Sequence, residues 1–267
     1  MTSLLIATWN INSVRLRLPL IEKLLAAYPL DVLCLQETKV ADAEFPSADL
    51  RRLGFAHCAI NGQKGYHGVA VLSRVPLAKV DARDFCSKGD ARHLKVVLPG
   101  DIELHNFYVP AGGDIPDPKA NDKFAHKLQF LEEMEALFAK MKSKRAARRI
   151  VVGDLNVAPF EHDVWSHKQL LDVVSHTPAE TERMMSIYAA HDWVDLTRSV
   201  VPADQKVFSW WSYRNSDWEK SDRGRRLDHF WISPALKAAA SEHRILRQAR
   251  NWERPSDHVP VMARIAL

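Results

Sequence analysis

Short, continuous runs of apolar residues recur along nearly the whole chain, and segments with helical periodicity lie between them. Such runs are typical of strands that are buried on both faces, because a strand with one solvated face alternates apolar and polar residues. Buried strands that alternate with helices predict a layered α/β sandwich. The predicted strands are Leu4–Trp9, Val32–Gln36, Gly68–Ser73, Leu94–Leu98, Ile102–Tyr108, Ile150–Gly153, Phe230–Ile232 and Val259–Ile265.

Several segments have the periodicity of helices. The clearest is Asn121–Lys142, in which apolar residues form one stripe and Asn121 is placed to cap the first turn. The basic run at 140–149 is expected to be a solvated helix end. Further helices are predicted at Leu16–Ala27, Asp163–His176 and Glu180–His191.

Length and composition indicate an ordinary globular protein. The chain has 267 residues, 46% of them hydrophobic and 26% charged, so we expect a single domain over residues 1–267. No run approaches the roughly 20 apolar residues of a membrane helix, and the first residues, MTSLLIATWN, lack the basic region of a signal peptide. The three cysteines form no CxxC pair, which indicates free thiols and a cytoplasmic location.

Basic residues are concentrated near the C-terminus. The whole chain has a formal net charge of +4, whereas residues 206–254 contain eleven basic and six acidic residues and so carry +5. Such a surface suits a polyanionic partner, which would bind mainly through counterion release. A solvated basic surface without a partner is the alternative.

Two segments resemble each other. Residues 4–12, LLIATWNIN, and residues 148–156, RRIVVGDLN, are both apolar strands that end in polar side chains. The likeness predicts two similar α/β halves, packed sheet on sheet. Strand ends are also where α/β proteins place their chemistry.

Polar side chains follow many of the predicted strands. Asn10 and Asn12 are two residues apart, as are Asp154 and Asn156, so on an extended backbone each pair projects to one face. Buried carboxylates need charged partners or a metal, and a set rich in oxygen without cysteine favours Mg²⁺ or Mn²⁺ over zinc. A network of ion pairs with arginine is the alternative. The set comprises Asn10, Asn12, Gln36, Glu37, Tyr108, Asp154, Asn156, Asp228, Asp257 and His258.

Seven motifs occur in one order over nearly the full length: TWNIN (8–12), LQETK (35–39), GVAVLSR (68–74), FYVP (107–110), GDLNVAP (153–159), RRLDHFWIS (225–233) and SDHVPV (256–261). Together they resemble the exonuclease III/apurinic-apyrimidinic (AP) endonuclease family, within the wider endonuclease–exonuclease–phosphatase fold. The resemblance implies a four-layered, DNase-I-like α/β sandwich, with two mixed sheets flanked by helices. It also implies action on duplex DNA with Mg²⁺, for which Mn²⁺ can substitute.

The resemblance further implies which residues bind the metal. Glu37 is the main ligand, supported by Asn10. Asp154 positions or deprotonates the attacking water, and Asn156 holds a phosphate oxygen. The full implied metal-binding set is Asn10, Glu37, Asp154, Asn156, Asp257 and His258.

The remaining implied roles concern the phosphate and the DNA. His258 faces the phosphate and is oriented by Asp228, since a carboxylate partner fixes an imidazole and favours its cationic form. Tyr108 lies beside the leaving group as a hydrogen-bond donor, because its unperturbed pKa is about 10. The catalytic set is Tyr108, Asp154, Asn156, Asp228 and His258, and the substrate-binding set is Asn12, Trp210 and Arg225.

The implied function is repair of duplex DNA by a monomer with no membrane partner. It comprises cleavage of the phosphodiester 5′ to abasic sites, together with 3′–5′ exonuclease and 3′-phosphatase activity on blocked ends. A same-fold phosphodiesterase for another substrate class and an inactive RNA-binding regulator are the alternatives, and the intact acidic set argues against the regulator. The loop 111–114 and Arg225 depart from relatives, which often carry Asn or Gln after FYVP and Trp or Leu at the arginine position. These departures leave the balance of activities open.

Overall fold

The computed structural model describes residues 3–142 and 146–267, so that residues 143–145 of the basic run lie outside the described part. The strands of the described residues form two six-stranded sheets. In chain order they are β1 (Ser3–Asn10), β2 (Val32–Gln36), β3 (His57–Asn61), β4 (Val69–Ser73), β5 (Ala78–Asp81), β6 (His93–Leu98), β7 (Ile102–Tyr108), β8 (Arg149–Asp154), β9 (Val194–Asp195), β10 (Asp228–Ile232), β11 (Ala240–Ile245) and β12 (Val261–Ala266).

Helices lie between these strands. The predicted helix at 121–142 is α3, and the Asn121 side chain caps it by accepting from the backbone N–H of Lys123. Helix α5 begins at Pro178, where proline suits the first turn because its missing N–H would have no partner there. The α-helices are α1 (Leu18–Ala27), α2 (Ser47–Arg52), α3 (Asp122–Met141), α4 (His167–Leu170), α5 (Pro178–His191), α6 (Leu196–Val200) and α7 (Trp218–Ser221).

The prediction of a helix over 163–176 is wrong. Only α4 is α-helical in this segment, which otherwise consists of turns. The buried Asp163 carboxylate pairs with Arg226 at 2.7 Å, and Val164 forms a β-bridge with Arg225. These contacts keep Asp163 and Val164 out of an α-helix, because a buried ion pair and a backbone bridge outweigh local helical periodicity.

The two sheets pack face to face and the helices cover their outer faces. Apolar side chains of both sheets form the central core, among them Ile6, Val71, Leu104, Val152 and Phe230. Helices α1 and α2 pack on the outer face of the first sheet, and α3 and α5 pack on that of the second. The four-layered α/β sandwich with two mixed sheets is therefore confirmed.

The two sheets have the same topology. The first has the order β11-β12-β1-β2-β4-β3 and the second β5-β6-β7-β8-β10-β9, and in each the central pair is parallel. Strand β1 therefore corresponds to β7, and β2 corresponds to β8. The similar segments 4–12 and 148–156 contain β1 and β8, which do not occupy equivalent positions in the two sheets. Their similarity therefore does not reflect the repeated topology.

None of the helices in the described part of the chain combines the length and the hydrophobicity that crossing a bilayer requires.

Candidate active site

Strand ends from both sheets meet at one edge of the sandwich and surround a cavity of about 240 Å³. Most of the predicted site residues line it: Glu37, Tyr108, Asp154, Asn156, Trp210, Arg225, Asp257 and His258. The other three, Asn10, Asn12 and Asp228, lie behind the wall and hydrogen bond to residues in it. The fold thus brings every predicted site residue to one place.

The same local turn ends β1 and β8. The Asn10 side chain accepts from the backbone N–H of Asn12 at 3.1 Å, and Asp154 accepts from that of Asn156 at 2.9 Å. Asn12 and Asn156 both have positive φ, at 46° and 52°, so the backbone is not extended there as the spacing argument assumed. Asn tolerates this left-handed conformation better than most residues. The likeness of the two sequence segments reflects this shared turn.

Gly153 allows β7 and β8 to approach closely at the site. A Cβ atom at this position would lie 1.9 Å from the carbonyl oxygen of Phe107 on the neighbouring strand, and φ is +136°. Only glycine fits such an approach without moving the backbone. The glycine therefore fixes where the adjacent Asp154 enters the cavity.

One amide group joins the two sheets at the centre of the site. Asn10 Nδ2 donates to Glu37 Oε1 and to Asp154 Oδ2, each at 2.9 Å. The Lys39 ammonium lies 2.8 Å from Glu37 Oε2 and donates to Asn12 Oδ1 at 2.6 Å. Burial raises the pKa of Glu37, but Lys39 and Asn10 outweigh it and the net pKa is lowered. The Glu37 carboxylate is therefore ionised and held in place.

A second group of side chains orients His258. Its Nδ1 lies 2.8 Å from Asp228 Oδ2, and its Nε2 lies 3.7 Å from Asp154 Oδ2. Ser209 Oγ donates to Asp228 Oδ2 at 2.7 Å and accepts from the backbone N–H groups of Leu227 and Asp228. The Asp228–His258 pair that the motifs implied is thus present and is itself anchored by Ser209.

Burial and charge shift the pKa values of these groups in opposite directions. Burial raises the pKa of Asp154 to about 7, although the His258 charge opposes the shift. Burial lowers the pKa of His258, but the carboxylates of Asp228 and Asp154 outweigh it and raise it to about 10. Burial, with Glu37 and Asp154 nearby, raises the pKa of Tyr108 well above its usual value, so the phenol stays protonated. The cavity therefore combines a carboxyl group whose pKa is near neutrality, an imidazolium and a hydroxyl donor.

Asp257 is positioned by two neighbours. Its Oδ1 accepts from Asn12 Nδ2 and its Oδ2 accepts from Trp210 Nε1, both at 3.0 Å. The Trp210 indole is half-buried and lines the cavity, while the adjacent Trp211 is 1% exposed and belongs to the core. One tryptophan of the pair is therefore structural and the other faces the site.

Arg225 closes one side of the cavity. Its Nη1 donates to Val174 O at 2.9 Å and to Ser175 Oγ at 2.7 Å, and its guanidinium lies 5.4 Å from the Trp210 ring centroid. Asn156 is similarly engaged, since its Nδ2 donates to Val109 O and to Asp154 Oδ2. If Arg225 or Asn156 contacts a phosphate, it must either keep these hydrogen bonds and add the new contact or give them up.

The donor set fits a hard divalent cation. Carboxylate oxygens of Asp154 and Asp228 lie within 4.8 Å of each other and of a ring nitrogen of His258, but the imidazolium form of His258 has no lone pair for a metal. Asp228 Oδ1 is buried without a hydrogen-bond partner among the described residues, and a buried carboxylate oxygen in that state is one that a metal or bound water satisfies. The carboxylate oxygens that line the cavity are the donor type that hard divalent cations prefer.

Three functional side chains were not singled out by the sequence. Lys39 and Ser256 fall inside quoted motifs, and Ser256 Oγ donates to Asn10 O at 2.7 Å. Their position within the motifs could have identified them from the sequence. No sequence feature identified Ser209, since a serine before two tryptophans has no distinctive spacing.

Comparisons with known proteins identify the family of the chain. The family model described as the endonuclease/exonuclease/phosphatase family matches residues 7–258. Exodeoxyribonuclease III of Haemophilus influenzae is 30% identical, over 96% of this chain and 97% of that protein. A DNA-(apurinic or apyrimidinic site) endonuclease of Dictyostelium discoideum is 28% identical, over 86% of this chain and 62% of that protein.

Solved structures give the same result. An AP endonuclease from Archaeoglobus fulgidus superposes with a TM-score of 0.90 at 31% identity, covering 99% of this chain and 100% of that one. The 3′ phosphatase NExo from Neisseria, bound to a product DNA hairpin, has a TM-score of 0.90 at 30% identity with the same coverage. A family model that matches most of the chain and a relative that is 30% identical over 96% of it show that the chain belongs to the endonuclease/exonuclease/phosphatase family.

Proposed function

We propose that the protein is a Mg²⁺-dependent DNA repair nuclease. It would hydrolyse the phosphodiester 5′ to abasic sites in duplex DNA and remove nucleotides or phosphate from 3′ ends. The observation that carries this proposal is the pairing, in one cavity, of the Glu37–Asn10–Asp154 group with the Asp228–His258 pair. Relatives named for exonuclease, AP endonuclease and 3′-phosphatase activities support it.

Asp154 is the group that we assign to the attacking water. Burial raises the pKa of the metal-free Asp154 carboxyl, and a raised pKa is the direction that strengthens a carboxylate as a base. The hydrogen bonds from Asn10 and from the backbone of Asn156 fix its orientation. A water held against its free lone pair would be aligned by the same constraint.

His258 and Tyr108 are assigned to the phosphate. The imidazolium presents a positive charge to the cavity, and Asp228 prevents the ring from rotating. The protonated Tyr108 hydroxyl can donate to a phosphate or leaving oxygen. Donors aimed in advance at developing negative charge are among the largest contributions to catalysis.

Glu37 and Asp154 would hold the Mg²⁺ ion, with Asn10 fixing both carboxylates. When bound, the ion neutralises phosphate oxygens and the leaving oxyanion. Lys39 keeps Glu37 ionised and ready for the cation.

The test is a 5′-labelled duplex with one tetrahydrofuran abasic analogue, incubated with Mg²⁺ or with EDTA. We expect one cut on the 5′ side of the analogue with Mg²⁺ and none with EDTA. A ladder would mean that exonuclease activity dominates, and a companion duplex with a 3′-phosphate measures phosphatase activity. If neither duplex is processed while an inositol phosphate or sphingomyelin is hydrolysed, the alternative phosphodiesterase assignment is correct.

Three further expectations concern the number of domains, the oligomeric state and the cellular location. Residues 1–267 would form one domain, the enzyme would act as a monomer, and the free thiols would suit a cytoplasmic location. Size-exclusion chromatography with light scattering tests the second of these.

A further inference from the structure

A buried arginine lies against the ring of Tyr108. The Arg92 guanidinium is 4.9 Å from the centroid of the Tyr108 ring, within the roughly 6 Å over which a cation is attracted to an aromatic face. Arg92 is 6% exposed and Tyr108 is 8% exposed. The contact is therefore largely desolvated, and a desolvated cation–aromatic contact is stronger than one at the surface.

The sheet register brings the two residues together. Arg92 immediately precedes β6, and Tyr108 ends β7. The antiparallel register pairs His93 with Phe107, and the backbone N–H of Tyr108 donates to Arg92 O at 2.8 Å. On its other side β7 pairs with β8, in a register that places Tyr108 beside Asp154. Arg92, Tyr108 and Asp154 thus lie in one row across the sheet.

Neighbouring groups hold the guanidinium in place. Arg92 Nε donates to Asp90 Oδ2 at 2.9 Å. Burial raises the pKa of Asp90, but Arg92 outweighs it and the net pKa is lowered, so the carboxylate is ionised. Arg92 Nη1 donates to Tyr108 O at 3.4 Å, and Nη2 lies 3.4 Å from His67 Nε2. Because the guanidinium is planar and rigid, these contacts fix its orientation against the ring.

Arg92 does not face the substrate side of the ring. Among the described residues, those that line the cavity of the candidate active site include Tyr108 but not Arg92. An arginine that binds phosphate presents its N–H groups to the ligand, whereas those of Arg92 are buried and directed at protein groups. We therefore expect Arg92 to influence a reaction in the cavity through Tyr108.

We propose that Arg92 is a positioning residue, which fixes the Tyr108 ring so that its hydroxyl meets the phosphate without reorganisation. This inference rests on the proposed nuclease function, in which Tyr108 is a hydrogen-bond donor. A donor that is held in advance stabilises developing charge better than one that must first be oriented. Asp90 contributes by orienting Arg92.

The kinetic test is a double-mutant cycle on the 3′-phosphate duplex with Mg²⁺. Tyr108→Phe should lower kcat about 10²–10³-fold, the usual cost of one donor to developing negative charge. Arg92→Gln should lower kcat about 10–10²-fold, as expected for a small misplacement of a catalytic group, and should leave KM nearly unchanged. The double variant should be no slower than Tyr108→Phe alone, because Arg92 has nothing to position once the hydroxyl is gone.

Arg83→Gln is the matched control. The Arg83 guanidinium also stacks on a ring, 4.8 Å from the centroid of Phe85, and the described residues that line the cavity include neither of the two. This variant should keep the kcat of the wild type. Arg92→Gln leaves the Asp90 carboxylate without its partner, which can destabilise the fold. Arg92→Gln/Asp90→Asn removes both charges and should give the same loss of kcat.

NMR measures the position of the ring independently of turnover. The chain has five tyrosines, so in protein labelled with ¹³C at tyrosine Cε the Tyr108 resonance is the one that Tyr108→Phe removes. We expect this resonance to shift or broaden in Arg92→Gln and to stay in place in Arg83→Gln.

The outcomes separate the two proposals. If Arg92 itself binds the phosphate, Arg92→Gln should raise KM, reduce the salt slope of DNA binding by about 0.9 and act additively with Tyr108→Phe, and the positioning role is wrong. An unchanged kcat or an unmoved Tyr108 resonance in Arg92→Gln would overturn it as well. If the resonance moves but the wild type processes neither the 3′-phosphate duplex nor the abasic duplex, Arg92 positions the ring and the proposed nuclease function is wrong.

Discussion

At the scale of single residues, the neutral side chain of Asn10 holds two carboxylates in position. One Nδ2 group donates to the half-buried Glu37 and to the buried Asp154, so the two carboxylates share a fixed separation. Leaving either carboxylate without this donor would cost the desolvation of a buried charged group. The amide therefore sets the position of the groups that we assign to metal and water.

Replacing Asp154 with Asn tests the assignment of the base. The change keeps the shape but removes the charge, so we expect kcat to fall about 10²–10⁴-fold. DNA affinity should persist, because phosphate contacts elsewhere dominate it. Steady-state kinetics and anisotropy measure the two quantities, with exposed Asp101→Asn as the control. Equal loss of binding and turnover would instead indicate a structural or purely metal-holding role.

Asp228 acts through His258, and the two variants should differ accordingly. Asp228→Asn can still hydrogen bond to the ring, whereas His258→Ala removes the imidazolium that faces the phosphate. We therefore expect the smaller loss of kcat from Asp228→Asn, measured on the 3′-phosphate duplex. The opposite order would mean that Asp228 contacts the metal or the water directly.

At the scale of elements, an ion pair between α3 and α5 supports the cavity loops. Lys127 on α3 and Glu180 on α5 are both fully buried and paired. Lys127 Nζ donates to Asn156 O at 2.7 Å and to Ala111 O at 3.2 Å, while Glu180 accepts from the backbone N–H of Ser175. The two helices thereby fix three segments of the cavity wall.

Breaking this pair should be more costly than replacing it. Lys127→Met leaves the Glu180 carboxylate buried and unpaired, so we expect the free energy of unfolding to fall by about 3–5 kcal/mol. The double variant Lys127→Met/Glu180→Gln removes the uncompensated charge and should be less destabilised. Urea unfolding measures both, and a double variant as unstable as the single one would contradict the argument.

A buried histidine in β10 should make stability depend on pH. Burial and the Arg226 charge lower the pKa of His229 from 6.5 to about 4. Above pH 6.5 both states are neutral there, and as pH falls toward 4 the unfolded state takes up a proton that the folded state does not. Stability should therefore decrease, by up to about 1.4 kcal/mol per pH unit for this site. Urea unfolding between pH 7 and 4.5 measures this slope.

Substitution of His229 separates titration from packing. His229→Asn and His229→Gln should both remove this part of the slope, whatever their effect on stability at pH 7. A slope equal to that of the wild type in both variants would show that other groups cause it.

At the scale of the whole molecule, the candidate active site lies where two topologically equivalent sheets meet. The first sheet supplies Asn10 from β1, and the second supplies Asp154 from β8 and Asp228 from β10. Strand β1 lies next to β2 and β12 in its sheet, and β8 lies between β7 and β10 in the other. A ligand bound at this boundary contacts both halves and should therefore stabilise the entire fold.

Magnesium should stabilise the protein as well as activate it. A ligand that binds only the folded state at 100 times its Kd adds about 2.7 kcal/mol, which corresponds to a rise in Tm of several degrees. EDTA should reverse the rise and abolish cleavage, whereas a zinc-selective chelator should do neither. Glu37→Gln should lose the rise in Tm. Full activity after EDTA treatment would contradict the metal assignment.

Several features of the fold were encoded locally. Continuous apolar runs predicted the central strands, because strands buried on both faces need apolar side chains on both. The capping asparagine and the apolar stripe predicted α3. Strands β3, β5, β9 and β11 were not predicted, since these edge strands carry no apolar run longer than three residues.

Within the site, the motifs identified the residue types, and the tertiary structure decided which of them touch. Spacing alone placed Asp154 and Asn156 on one face of an extended strand, whereas the structure joins them through a turn with positive φ. Arg225 was assigned to the substrate-binding set, and only the structure shows that its guanidinium bonds to Val174 and Ser175, which are about 50 positions away in the chain. Local sequence determines burial and periodicity because these depend on neighbours along the chain. Contacts between distant segments, including those at the boundary of the two sheets, depend on how the sheets pack together, which no local pattern specifies.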